Sequence, residues 1–206
     1  MSLWFANEWY VFPNAINKET INKIRNSAKG KWQEAKVGDT YDTGRLKESD
    51  YRIKSKVRTS DIYWTSEKWI YDITYPFMLE ANKRAGWKLD INAAESSQIA
   101  RYRKDCFYDW HKDGDSDSLS AYDIPKLPVL HGNVRKISLT LVLNDEFEGG
   151  EFEFAYSKAG ECIITPVKVK AGDMIFFTSG IEHRITPVTK GTRYSLVTWF
   201  IGPPVK

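Results

Sequence analysis

From about residue 87 onward the sequence is a succession of short apolar runs cut by turn residues, and this pattern limits the fold more than any other feature. SSQIARYRK, CFYDWHKD, RKISLTLVLND, GGEFEFAY, ECIITPVKVK, DMIFFTS, HRITPV and TRYSLVTWFIG are each rich in β-branched or aromatic residues. Runs of this kind at close spacing predict an antiparallel barrel or jelly roll. One longer polar connection, GDSDSLSAYDIPKLPVLHGN (114–133), interrupts them, and a loop of that length is more often functional than idle, for example as a lid.

The first ninety residues read differently. EWYVFPN (8–14) is a short strand ending at Pro13. NKETINKIRNSAKG then places Ile21, Ile24 and Ala28 at helical spacing, with Asn17 to cap the start and Gly30 to close the end. Residues 31–60 are polar and read as irregular with short strands. Residues 66–86 predict a second helix, capped by Ser66 and stopped by Gly86. Its expected buried stripe is Trp69, Ile70, Ile73, Phe77 and Ala81, with a kink at Pro76. The expectation is an α+β chain, residues 1–206 as one domain, with a helical and irregular part over about 1–90 and a β core over about 91–203.

Composition narrows the function classes. A net charge of +3 is too mild for a strong nucleic-acid binder. The most basic stretch, RLKESDYRIKSKVR (45–58), is interrupted by acids and reads as a solvated face. Cys106 and Cys162 are too few for a disulfide framework. The N-terminus lacks the pattern of a signal peptide, and no apolar run approaches a membrane span, so the cytosol is the default location and no membrane partner is expected. Eight tryptophans and eleven tyrosines suit either a well-filled core or an aromatic-lined pocket.

Chemistry enters at WHKD (110–113). In a strand, residues i and i+2 share a face, so His111 and Asp113 would point together into a barrel mouth. Alone, H-x-D occurs often by chance and reads first as a solvated turn pair. His183 in SGIEHRITPV adds a second imidazole after an apolar strand. Two histidines and one carboxylate are the facial set that holds non-haem Fe(II) and leaves coordination positions open. Ten residues later Arg193 and Ser195 share a face of their strand. A guanidinium fork with a hydroxyl beside it would bind one end of a dicarboxylate whose other end reaches the metal. His131, in the long loop, reads as a bystander.

These residues in their context resemble the 2-oxoglutarate- and Fe(II)-dependent dioxygenases, in the prolyl 4-hydroxylase-like branch. ARYRKDCFYDWHKD is similar to that branch's Tyr-x5-Tyr-x2-His-x-Asp strand pair, LVLNDEFEGGEFEF to its Leu-Asn…Gly-Gly-Glu hairpin, and HRITPVTKGTRYSLVTWF to its His-Arg-Val-x-Pro-Val-x-x-Gly-x-Arg-Tyr-Ser run. The resemblance covers about 98–202. It implies a double-stranded β-helix (jelly-roll) core with N-terminal packing helices. It also implies Fe(II) on His111, Asp113 and His183, with 2-oxoglutarate held by Arg193, Ser195 and Tyr102, and O2 as the second co-substrate. Ascorbate is a further expected cofactor. Tyr108 and Trp199 match pocket-lining aromatic positions near substrate, although by composition both are equally core residues. The implied reaction is hydroxylation of an unactivated C–H bond, coupled to oxidative decarboxylation of 2-oxoglutarate to succinate and CO2. The implied substrate is a peptide, a protein or a free amino acid, with proline first.

Two positions depart from the branch. Many of its prolyl hydroxylases carry lysine where Arg193 stands, and the glycine usual between the two tyrosines is replaced around Asp105–Cys106. The alternatives are a small-molecule or nucleobase oxygenase on the same site, or a non-catalytic β-barrel binding module. A zinc hydrolase could use the same two histidines and aspartate but has no need of Arg193 and Ser195.

Overall fold

The computed structural model describes residues 7–35 and 57–205. Two facing sheets form its centre. The larger has eight strands in the order β1 (Trp9–Phe12), β12 (Met174–Thr178), β8 (Val134–Val142), β15 (Arg193–Gly202), β6 (Ser97–Tyr102), β4 (Asp61–Thr65) and β2 (Gln33–Glu34), with β5 (Ala93–Ala94) paired to β15. The smaller runs β11 (Glu161–Val167), β10 (Phe152–Lys158), β13 (Glu182–Ile185), β7 (Phe107–His111) and β3 (Arg58–Thr59). A two-stranded ribbon joins β9 (Phe147–Gly149) to β14 (Val188–Gly191). Every ladder is antiparallel. The jelly-roll expectation from strand spacing holds, and all eight runs read from the sequence contain a strand.

Period-two alternation in the large sheet sorts its side chains into two layers. Ile99, Ile137, Leu139, Leu141, Phe176, Leu196 and Phe200 face outward and pack against the helices. Ala100, Tyr102, Ile175 and Phe177 face inward, toward Phe152, Phe154 and Ile185 of the small sheet. Phe176 has no exposed surface and meets Phe12 edge to face at 5.9 Å. Phe176→Ala is therefore expected to destabilise the protein by about 3–5 kcal/mol, read from a urea melt.

The outer layer is covered by α1 (Lys18–Ser27) and α2 (Lys68–Arg84). Asn17 caps α1 as its sequence predicts, its side chain accepting from the Thr20 N–H at 2.9 Å, and Ile21, Ile24 and Ala28 are buried. The second helix departs from expectation. It starts at Lys68 with Glu67 at the cap position, because the Ser66 hydroxyl bonds Ser96 instead. Its buried stripe is Ile70, Thr74, Met78 and Ala81, while Trp69, Ile73 and Phe77 are only partly buried. Thr74 is tolerated there because its hydroxyl donates to the Ile70 carbonyl one turn back. Pro76 lies inside the helix, which continues through it to Arg84.

The reading of 45–58 as a solvated face is corrected at its end. Arg58 is buried, donating through Nε to Ser60 Oγ and through Nη2 to Gln98 Oε1, with its guanidinium 4.5 Å from the Tyr108 ring centre. The rest of that segment, up to residue 56, lies outside the described residues. At the altered turn, Asp105 has φ +66°, the conformation a glycine would ordinarily supply, and its N–H donates to Val188.

Candidate active site

His111 closes β7 and His183 lies on β13, and the two are direct partners in the antiparallel ladder. The ladder slips between His183 and Ile185, so that Ile185 faces Tyr108. This irregularity lets Tyr108 and His111, three residues apart, line the same cavity. Asp113 arrives differently from the i, i+2 expectation. The strand ends at His111, and the next residues turn back onto the large sheet. There the Asp113 and Gly114 N–H groups both donate to the Ser179 carbonyl at 3.0 Å. The carboxylate then meets both rings: Oδ1 is 3.7 Å from His111 Nε2, and Oδ2 is 3.6 Å from His183 Nε2.

The three ligand atoms lie within 4.8 Å of one another. Each ring is held by its far nitrogen, His111 Nδ1 at 2.8 Å from the Asp109 carbonyl and His183 Nδ1 at 3.0 Å from the Ile181 carbonyl. A carbonyl only accepts, so Nδ1 carries the proton in both rings and the Nε2 lone pairs converge on Asp113. Burial, with His183 alongside, pushes His111 down to about 3, which keeps it neutral and able to ligate. Burial raises the Asp113 carboxyl, but the charges that face it, His183 and His111 in their protonated forms and the Arg135 guanidinium, outweigh that and the net shift is downward.

Arg193 and Ser195 sit on the inner face of β15, as the i, i+2 rule predicts. Arg193 is 1% exposed, and its Nη1 donates to Ser195 Oγ at 3.0 Å. Tyr102 is directly opposite Arg193 in the β6–β15 ladder, its ring 5.7 Å from the guanidinium. Desolvation lowers Arg193 to about 10, with only Tyr102 acting in the opposite direction. Gly150, at φ +62°, folds the β9–β10 turn over this cation, and a side chain there would begin 3.1 Å from Arg193 Cδ.

Around the triad the cavity is walled by Arg58, Gln98, Tyr102, Tyr108, Thr140, Phe152, Ser195 and Trp199, among others. Tyr108 stacks on His111 with centroids 3.5 Å apart, and burial pushes its hydroxyl up to about 12. Trp199 lies between Trp64, at 5.9 Å, and the Arg135 guanidinium, at 4.1 Å. All eight site residues named from the sequence thus meet at this cavity or at the arginine behind it. His131 stays apart in the loop, half-exposed and 3.9 Å from Asp123. Sequence reasoning missed Arg58, Gln98 and Arg135. Period two within SSQIARYRK would have put Gln98 on the face of Tyr102, but nothing local marks the other two.

Among the described residues, three buried side-chain atoms have no hydrogen-bond partner: Asp113 Oδ2, Arg193 Nη2 and Trp199 Nε1. A buried polar group left unpaired costs about 1–3 kcal/mol, more when charged. One carboxylate oxygen beside two bare imidazole nitrogens fits a divalent metal, and an unpaired guanidinium N–H fits a carboxylate. The residues present therefore accommodate Fe(II) and 2-oxoglutarate.

A double-stranded β-helix with two imidazoles and one carboxylate converging in its cavity is the frame of the non-haem oxygenase class. A family model described as the 2OG-Fe(II) oxygenase superfamily matches residues 97–201, and this chain belongs to that superfamily. Membership implies Fe(II), 2-oxoglutarate and O2. Human prolyl 3-hydroxylase 2 is 42% identical over 73 residues, which are 34% of this chain and 10% of that protein. A PKHD-type hydroxylase of Xylella fastidiosa (strain Temecula1 / ATCC 700964) is 39% identical over 101 residues, 48% of this chain and 41% of that one. The chain thus matches only a minor part of these relatives' lengths. Among solved structures, a Pseudomonas putida prolyl-4-hydroxylase superposes with a TM-score of 0.62 at 19% identity, covering 94% of this chain and 91% of that one. A Trichoplax adhaerens prolyl hydroxylase gives 0.64 at 14% identity, over 94% and 83%. At such identities the likeness speaks for the fold. Among the described residues no helix is long and apolar enough to cross a membrane.

Proposed function

We propose that this chain is a 2-oxoglutarate-dependent hydroxylase of an unactivated C–H bond, acting as one domain on a prolyl residue of a peptide or on a free amino acid. The observation that carries the reading is the pairing, in one buried region, of the triad with an arginine whose Nη2 has no partner. A metal site alone would suit zinc hydrolysis, whereas a desolvated guanidinium beside it calls for an anionic co-substrate. The name of the human partial relative, prolyl 3-hydroxylase 2, favours proline, and the aromatic cavity of Tyr108 and Trp199 suits an apolar ring.

In this reading Fe(II) bound with 2-oxoglutarate activates O2 and supplies the oxidant. His111, Asp113 and His183 would hold the metal, the two histidines through Nε2 and the aspartate through its carboxylate. Arg193, Ser195 and Tyr102 grip the distal carboxylate, fixing which end of the keto acid faces the metal. Tyr108 and Trp199 hold substrate over the site and, with Phe152, exclude water. Trp199 Nε1, buried and without a partner among the described residues, would donate to a substrate carbonyl. Ascorbate would be the reductant that keeps a bound iron ferrous.

The test is anaerobic. Fe(II) followed by 2-oxoglutarate, added to metal-free protein, is expected to give the weak visible charge-transfer band of a chelated keto acid. Proline-containing peptides and free amino acids are then screened for substrate-dependent succinate formation. Metal binding with no such band would leave a β-helix whose metal serves other chemistry. A band with turnover on nucleobases or other small molecules alone would replace the prolyl assignment.

A further inference from the structure

The ladder holds His111 and His183, but Asp113 lies beyond the end of β7, so something outside the sheet must fix the third ligand. Two contacts do so. The Asp113 N–H is bound by Ser179, and the Asp113 carbonyl accepts from Arg135 Nη1 at 3.3 Å. Arg135 is in turn clamped. Its Nε and Nη2 form a fork onto Glu95 Oε1 and Oε2, both at 2.6 Å, and the Tyr122 hydroxyl donates to the same Oε1 at 2.6 Å. The Glu95 side chain is almost fully buried, and its N–H donates to the Trp199 carbonyl. Tyr122 lies in the 114–133 segment, whose neck closes through bonds from Tyr122 N–H to Asn133 and from Gly132 N–H to Tyr122.

Resting on the triad reading above, we propose that Arg135 is the positioning residue of Asp113, and that Tyr122, through Glu95, ties the 114–133 segment to the same fork. The guanidinium cannot be exchanged for another cation. It must reach both carboxylate oxygens, the Asp113 carbonyl and the face of Trp199 together, and an ammonium on a flexible stem satisfies at most part of that set. The segment read from the sequence as a possible lid is therefore anchored at its neck, and the anchor is continuous with a metal ligand.

Co(II) is the probe, since its visible absorption reports coordination geometry without turnover. Arg135→Lys is expected to weaken Co(II) binding about tenfold and to change the shape of the absorption, an effect of the size usual for partners of metal ligands. Tyr122→Phe, which removes one hydroxyl, is expected to move the same two readouts in the same direction by about threefold, below the range for direct partners of a metal ligand because it acts through Glu95 and Arg135. Arg101→Lys, in an ion pair with Asp61 remote from the triad, is the control and should change neither. Wild-type affinity and spectrum in both variants would overturn the inference alone. Wild-type protein that binds no Co(II) would overturn the triad reading along with it.

Discussion

Arg193→Met is expected to abolish the 2-oxoglutarate-dependent absorption band while leaving the ligand-free protein as stable as wild type or more so. Arg193 is buried, its side chain hydrogen-bonds a neutral hydroxyl, and among the described residues one of its terminal nitrogens has no partner. Keeping a guanidinium there costs folding energy, and replacing a buried charge by an apolar side chain of similar volume is often neutral or stabilising by about 1–4 kcal/mol. Removing one partner of a buried charge pair, by contrast, costs a ligand about 2–5 kcal/mol, at least thirtyfold in affinity. Thermal melts with and without 2-oxoglutarate separate the two effects. A variant that melts far below wild type and still binds the keto acid would mean that Arg193 is structural.

The second large effect belongs to Asp113. Asp113→Asn keeps the shape and both main-chain contacts but removes the charge that faces the two Nε2 atoms. Changes to residues that merely support a ligand cost about 10–100-fold in metal affinity, so loss of the anionic ligand itself is expected to exceed that range. Anaerobic calorimetry with Fe(II), or with Mn(II) as an air-stable substitute, measures it directly. Affinity within a few-fold of wild type would remove Asp113 from the metal site and with it the facial triad.

Much of the fold was legible because it follows from local rules. Asn17 capping α1 and Arg193 sharing a face with Ser195 are consequences of helical and strand periods and of short side-chain reach. The second helix shows where such rules stop. Its start moved because Ser66 found Ser96, a partner thirty residues away, and its buried face is set by the sheet it lies on rather than by the most apolar stripe. Arg58 shows the same limit. A cation within a charged run reads as solvated, and only the arrival of Gln98 and Tyr108 from other strands turns it into a cavity wall.

The sequence by itself marked the candidate donor set and most of its pairing, because H-x-D, the distal histidine and R-x-S are residue types at fixed spacings that strand periodicity carries to one face. It also determined the sheet class, since alternation of period two can bury a face only in a pleated structure. The tertiary structure alone decided how Asp113 reaches the two imidazoles. Its strand has ended by then, and the return depends on Ser179 and Arg135, 66 and 22 residues away in the chain. It alone decided that Arg193 is stripped of water with an N–H unpaired, because desolvation is a property of everything packed around a side chain and no local pattern encodes it.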